Sequence, residues 1–196
     1  MKLNTIENAP TQILMKALIM LVLSLFGMRR ILLVSHCILN PYSKAVGLLR
    51  EEKVEASRRI INVLLEDFET GVIQLPCPEL LYKGLDREPA SRESYDNPEF
   101  RSICRDIANQ TVETVEKYER AGIRIVAYLG VEGSPSCGVE WTHFRIDRPE
   151  RGRGVFTETL YEAMEKAGVK ISFLGLPEKE KYGSLEELLR KLEALR

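Results

Sequence analysis

The chain has 196 residues, with 28 Lys and Arg against 29 Asp and Glu and a net charge of −1. That length supports one domain with a sizeable core and is short for two. The balanced charge leaves no basic excess to neutralise phosphates, which argues against a nucleic-acid partner, and four cysteines with no CxxC pair exclude a disulfide-stapled scaffold, a zinc ribbon and a thioredoxin-type motif.

The chain opens on an apolar segment. Ala17 to Phe26 is almost wholly hydrophobic, with Lys16 before it and Arg29-Arg30 after it. It has the length of a secretory apolar region and falls short of the roughly 20 residues of a membrane span. Leu25 and Phe26 stand where a signal-cleavage site wants small residues. The preferred reading treats residues 1–27 as an over-extended N-terminal segment, with Met28 as the natural start of a single domain over 28–196. A signal, a membrane anchor or a packing helix are the alternatives.

From Arg30 the chain repeats one rhythm. Ile31-Leu32-Leu33-Val34 is an unbroken apolar run, as expected for a strand buried on both faces. Val54 to Phe68 carries apolar residues at helical spacing and stops at Gly71. Val72 to Leu75 is the second strand, broken by Pro76 and Pro78. Asn97 or Asp96 caps a long helix to about Arg120. Ile123 to Leu129 is the third strand, followed by a turn-rich loop from Gly130 to Gly138. A helix over Thr157 to Lys166 ends before Gly168, Val169 to Leu174 is the fourth strand, and Ser184 caps a last helix over Leu185 to Leu195.

Alternating strands and helices imply an α/β fold: a parallel sheet of about four strands with helices on both faces, a Rossmann-like or flavodoxin-like three-layer sandwich. The polar stretch Gly84–Pro98 reads as an excursion from the sheet, a lid or a wall.

The cysteines fall at the strand exits. Cys37 follows strand one, Cys77 strand two and Cys137 strand three, and the carboxyl ends of parallel strands share one edge, where ligands bind. Topology thus predicts that three thiols far apart in sequence converge. Cys104 is the control: inside the long helix beside Ile103 and Ile107, it reads as core. Pro76 and Pro78 hold Cys77 in an extended backbone. In Gly133-Ser134-Pro135-Ser136-Cys137-Gly138 the serines and free amides are placed to donate hydrogen bonds to an anion or to cluster sulfides. Three thiolates suit either a zinc with a fourth ligand, for which His36 and His143 are the candidates, or a cubane cluster with one open iron. Composition leaves the two open.

Three segments, Ile31–Lys44 (ILLVSHCILNPYSK), Leu75–Glu79 (LPCPE) with Leu85–Ser91 (LDREPAS), and Gly133–Gly138 (GSPSCG), resemble the signatures of the 2-thiouracil desulfurase family in the same order. After the first Cys this chain has Ile38-Leu39-Asn40-Pro41-Tyr42-Ser43-Lys44 where the family pattern is glycine-rich, so the resemblance is to a divergent branch. It implies a [4Fe-4S] cluster held by Cys37, Cys77 and Cys137, whose open iron takes part in removing sulfur from a thiolated small molecule. An oxygen-sensitive cluster implies a reducing cytoplasm. Other readings are a cluster-bearing sulfur carrier or assembly protein and a zinc-binding structural protein.

Such a reaction needs a group that activates water or protonates the substrate. Glu79, two residues after Cys77, is the first candidate; its alternative is a cap or an Arg partner. Ser136 and Glu132 follow. Lys44, Arg87 and Arg92 read as substrate-holding groups or as solvated surface, with surface preferred. Arg151-Gly152-Arg153-Gly154 reads as a basic lid or as a connecting loop. His36 is a donor to the site or a structural histidine. His143 and Trp141 are candidate walls of the pocket, with core packing the safer reading for Trp141.

Overall fold

The structure, a computed structural model, describes residues 29–64 and 70–195. The readings made for residues 1–27 and for the end of the helix expected to reach Phe68 therefore lie outside the described residues. Among the described residues no helix is long and apolar enough to cross a membrane.

Four strands, β1 (Arg30–Ser35), β2 (Gly71–Leu75), β3 (Arg124–Val131) and, after a short hairpin, β6 (Ser172–Leu176), form one parallel sheet in the order β2-β1-β3-β6. The alternation of side chains across β1 explains both cores. Ile31 and Leu33 face a cluster built with Phe100, Ile107 and Val115 of α5 (Pro98–Arg120) and Phe156, Leu160 and Met164 of α6 (Val155–Lys166). Leu32 and Val34 face the other side, where Ile60 of α2 (Glu51–Asn62) and Leu188 and Leu192 of α7 (Leu185–Glu193) close a second cluster. A strand covered on both faces must be apolar at every position, which is the run seen at 31–34. The predicted three-layer α/β architecture is the one observed.

Helix starts follow local chemistry. The Asn97 Oδ1 accepts from the Phe100 amide at 3.0 Å, and Pro98 stands at the first helical position, where its missing N–H costs nothing. Ser184 caps α7 through the Glu187 amide at 3.1 Å.

Two strand boundaries and one hairpin differ from expectation. β3 runs on through Gly130 and Val131, which read as loop, because both pair with Gly175 and Leu176 of β6. For the same reason the fourth strand sits later than Val169–Leu174: ladder partners rather than the apolar run set its ends. An antiparallel hairpin, β4 (Trp141–Arg145) with β5 (Arg148–Arg151), was not predicted. Its second strand, RPER, is charged and carries a proline, so no burial pattern marks it.

The strand order places the functional edge. The chain moves from β1 to β2 on one side, then returns to β3 on the other, so the order reverses between β1 and β3. The crevice outside their carboxyl ends is the topological switch point.

Candidate active site

Register brings the first two cysteines to one level. Ser35 pairs with Leu75, and Cys37 and Cys77 each lie two residues further on. Cys37 sits in α1 (His36–Leu39), so His36 and Cys37 leave β1 on a helical turn. Cys77 keeps an extended backbone and caps α3 (Pro78–Lys83), its sulfur accepting from the Leu80 amide at 3.5 Å. Cys137 comes from a loop that turns back on its own strand: the Val131 amide donates to the Cys137 carbonyl at 3.1 Å. All four cysteines are free thiols, and Cys37, Cys77 and Cys137 line one cavity of about 230 Å³. Cys104 does not line it; it is buried between α5 and the sheet, as expected of the control.

The Cys137 loop is built rigidly. Ser134 Oγ accepts from the amides of Ser136 and Cys137 at 3.3 and 3.0 Å, and the Ser134 carbonyl accepts from Gly138 at 3.1 Å. The Gly133 amide goes to the Trp141 carbonyl and the Ser134 amide to Val131. The loop amides expected to be free for an anion are thus spent inside the loop, because buried amides must find partners and the nearest are its own oxygens. The first turn of α6 completes the fastening, with Val155 donating to Pro135 and Phe156 to Ser136 at 3.1 and 2.9 Å. Gly138 and Gly154 allow this closeness: a Cβ on either would overlap the Trp141 or the Ser136 carbonyl.

Glu79 and Ser136 meet on the cavity wall. Ser136 Oγ lies 2.5 Å from Glu79 Oε1 and 3.4 Å from the Cys137 sulfur, and its single proton can serve one of them at a time. Glu79 Oε2 accepts from Arg87 Nε at 3.2 Å and from the Tyr95 hydroxyl at 3.4 Å. Glu79 therefore has the Arg partner that its alternative reading supplied, while still lining the cavity. Surface is the sequence expectation for Arg87, yet its side chain is 2% exposed. Its other nitrogens donate to the carbonyls of Gly84 and Ser43, at 3.1 and 2.6 Å, which ties the exits of β1 and β2 together.

Burial governs the thiols. It pushes Cys137 up to about 12, aided by the nearby Cys37 charge and opposed by the Ser136 and Ser35 hydroxyls. Cys77 is raised by burial and then by Glu79 and the other two thiols. Cys37 is raised by burial, with Lys44 pulling the other way. Buried side by side, the three thiols are favoured in their neutral form, and a cation among them would be needed to hold them as thiolates.

Other candidates separate. Glu132 is buried and structural: its carboxylate accepts from the amides of Glu140 and Trp141 at 3.2 and 2.8 Å, and burial raises its pKa. His143 lines the cavity. Its Nδ1 must carry the proton, since it faces the Gly133 carbonyl at 2.6 Å, which leaves Nε2 to accept from the Tyr182 hydroxyl at 3.5 Å. Trp141 does not line this cavity; it borders a neighbouring one and lies under Arg151. Arg92, at the start of α4 (Arg92–Tyr95), holds Asp96, Glu158 and the Arg153 carbonyl. The Arg151–Gly154 segment is no lid, since the Gly152 and Gly154 amides donate to Glu140 and Gly138. His36 is absent from the lining, its pKa lowered by burial and then by Arg87.

Residues 28–167 match the family model described as "Putative 2-thiouracil desulfurase". The chain belongs to this family. A relative in Methanocaldococcus jannaschii, an uncharacterised protein, is 32% identical over 165 residues, covering 84% of this chain and 97% of that one. Among solved structures, a [4Fe-4S]-dependent thiouracil desulfidase, TudS, is similar with a TM-score of 0.47 and 20% identity, over 86% of this chain and 99% of that one. The matched span of the desulfurase family contains all three cavity cysteines as well as Glu79 and Ser136.

Three thiols at one cavity match the protein ligands of a cubane cluster with one open iron. The cavity presents three thiols together with the carboxylates of Glu79 and Glu178, with the fourth cysteine elsewhere and both nitrogens of His143 engaged. Among the described residues no three His, Cys, Asp or Glu side chains close around one metal ion.

Sequence reasoning missed Lys53, Glu178 and Tyr182, which also line the cavity. A signal was available for Glu178: Leu176-Pro177-Glu178 leaves β6 much as Pro78-Glu79 follows β2, at the same sheet edge.

Proposed function

We propose that this protein is a desulfurase that replaces the sulfur of a thiocarbonyl heterocycle with oxygen from water, with a [4Fe-4S] cluster held by Cys37, Cys77 and Cys137. The observation that supports this reading is the convergence of three buried thiols and a Glu79–Ser136 hydrogen bond on one cavity wall. When bound, the cluster supplies an open iron as a Lewis acid for the thiocarbonyl sulfur.

The carbon exchanges its bond to sulfur for one to the oxygen of water, and sulfur leaves as hydrogen sulfide. Water's two protons move to the sulfur, so the carbon's oxidation level is unchanged. Glu79 is the group that receives the proton from water. Arg87 and Tyr95 hold Oε2 and thereby aim Oε1 into the cavity. Ser136 controls access to that oxygen: turned toward Glu79 its hydroxyl blocks Oε1, and turned toward Cys137 it steadies a thiolate and uncovers the base.

The test is iron and sulfide content, visible absorption and sulfide release from thiolated heterocycles, for protein purified without oxygen. Wild type is expected to be brown, with about four irons, and to release sulfide. Ala at Cys37, Cys77 or Cys137 should bleach it, and Cys104→Ala should not. A colourless wild type that takes up no iron on anaerobic reconstitution would refute the cluster.

A further inference from the structure

Lys44 and Lys53 share one carboxylate on the cavity wall. Lys44 Nζ lies 2.5 Å from Glu178 Oε1 and Lys53 Nζ 3.5 Å from Oε2, with the three side chains only 7%, 13% and 6% exposed. All three line the cavity of the cysteines, and Lys179 joins them there. Lys179 is exposed to solvent, which screens its charge, so among the covered groups two ammonium groups less one carboxylate leave a local charge of +1.

The surplus belongs to Lys53. Lys44 has a second neighbour in Cys37, which the cluster of the proposed function would hold as a thiolate, and the two groups influence each other directly. The charges acting on Lys53 are Glu178, which attracts, and Lys44 and Lys179, which repel. Lys53 also stands in the first turn of α2, at the positive end of the helix dipole, where a cation is disfavoured. Glu51 and Glu52 on that turn are exposed to solvent. The other charged pairs at the cavity are matched: Arg87 with Glu79, and Glu132 with two backbone amides. A covered ammonium in positive surroundings is stabilised when an anion arrives beside it.

We propose that the substrate of this protein carries a carboxylate, and that Lys53 binds it. The proposal rests on the desulfurase reading for the thiocarbonyl end of the molecule and extends it to the substituent. A singly charged carboxylate matches a surplus of one. A phosphate dianion would exceed the surplus of the covered groups, with only the solvent-exposed Lys179 left to match it, and the groups that favour phosphate are committed elsewhere. Arg87 is turned to Glu79, Gly84 and Ser43, and the amides of Lys53 and Val54 bond to the Arg50 carbonyl.

Calorimetric titration of the full chain, purified without oxygen, with orotate, uracil and uridine 5′-monophosphate tests this. None of these ligands carries sulfur, so binding is read apart from turnover. Orotate should bind at least about tenfold more tightly than uracil, the scale of one charge-assisted contact. Lys53→Gln should erase that preference and Lys53→Arg should keep it. Glu178→Gln should tighten orotate binding by removing the competing carboxylate. Equal binding of orotate and uracil, a folded Lys53→Gln protein with its preference intact, or tighter binding of the nucleotide than of orotate would each overturn the proposal. Sulfide release from 2-thioorotate and 2-thiouracil reports separately on the chemistry. An orotate preference that depends on Lys53 but comes without sulfide release would sustain the carboxylate site and sink the desulfurase. Turnover of 2-thiouracil with no orotate preference would do the reverse.

Discussion

Arg87 does more for the site than its sequence context announces. One guanidinium reaches the base candidate Glu79, the carbonyl that ends α3 and the carbonyl of Ser43 beyond Cys37. The planar fork suits three fixed acceptors as an ammonium would not. This arrangement makes Glu79→Gln informative, because the amide retains the size of the carboxylate and most of its contacts while losing the charge. The variant should keep its iron and colour but lose roughly 10²–10⁴ in turnover, the usual worth of a positioned acid or base. It should also lose about 1–3 kcal/mol of stability, because a buried cation then lacks its anion. Iron analysis with steady-state sulfide release, followed by urea denaturation, separates the two effects. Turnover within a few-fold of wild type would remove Glu79 from the chemistry.

At the scale of elements, the Cys137 loop and α6 form one unit. The loop's carbonyls satisfy the first amides of α6, and the glycine before that helix lets the two backbones touch. Gly154→Ala would drive a methyl group into the Ser136 carbonyl, and the loop has no slack, since its own amides are bonded to Ser134. The expected result is an iron content well below wild type with helix and sheet signals unchanged, read by metal analysis and far-ultraviolet circular dichroism. Full iron occupancy in this variant would show that the loop can shift without moving Cys137. The unpredicted hairpin belongs to the same unit. Gly133 bridges to Thr142, and the hairpin carries His143, which grips the Gly133 carbonyl. Nothing in the charged RPER strand signals this, because its role is to brace a loop and it buries little apolar surface.

For the molecule as a whole, the sandwich determines how buried thiols respond to pH. Cys104, away from the cavity, has its pKa raised above the ordinary 9.0, by burial first and then by the Cys137 charge. The folded state therefore keeps this proton where the unfolded chain loses it. Its contribution to stability is complete below about pH 9 and falls as pH rises toward the folded value, by up to about 1.4 kcal/mol per pH unit. The stability difference between wild type and Cys104→Ala should accordingly shrink from pH 9 to pH 11 in urea titrations. A difference that stays constant over that range would mean the thiol is more hydrated than its place between α5 and the sheet implies.

The sequence by itself determined the parallel sheet, the helices on its two faces and the exit of a cysteine from each of three strands. Those features are local: an unbroken apolar run, a cap and a glycine stop each report on a few neighbouring residues. It also determined which cysteine to set aside, since Cys104 lies within a helical period. Tertiary structure alone decided that Arg87 is buried, that the loop amides are spent, and that Glu79 faces Ser136 across 57 positions of chain. It alone assembled Lys44, Lys53 and Glu178, two of them from the first half of the chain and one from beyond β6. The physical reason is that a polar side chain's partner is set by which strand ends share an edge and by what remains unbonded once the backbone is satisfied. Neither is encoded in the spacing of residues along the chain.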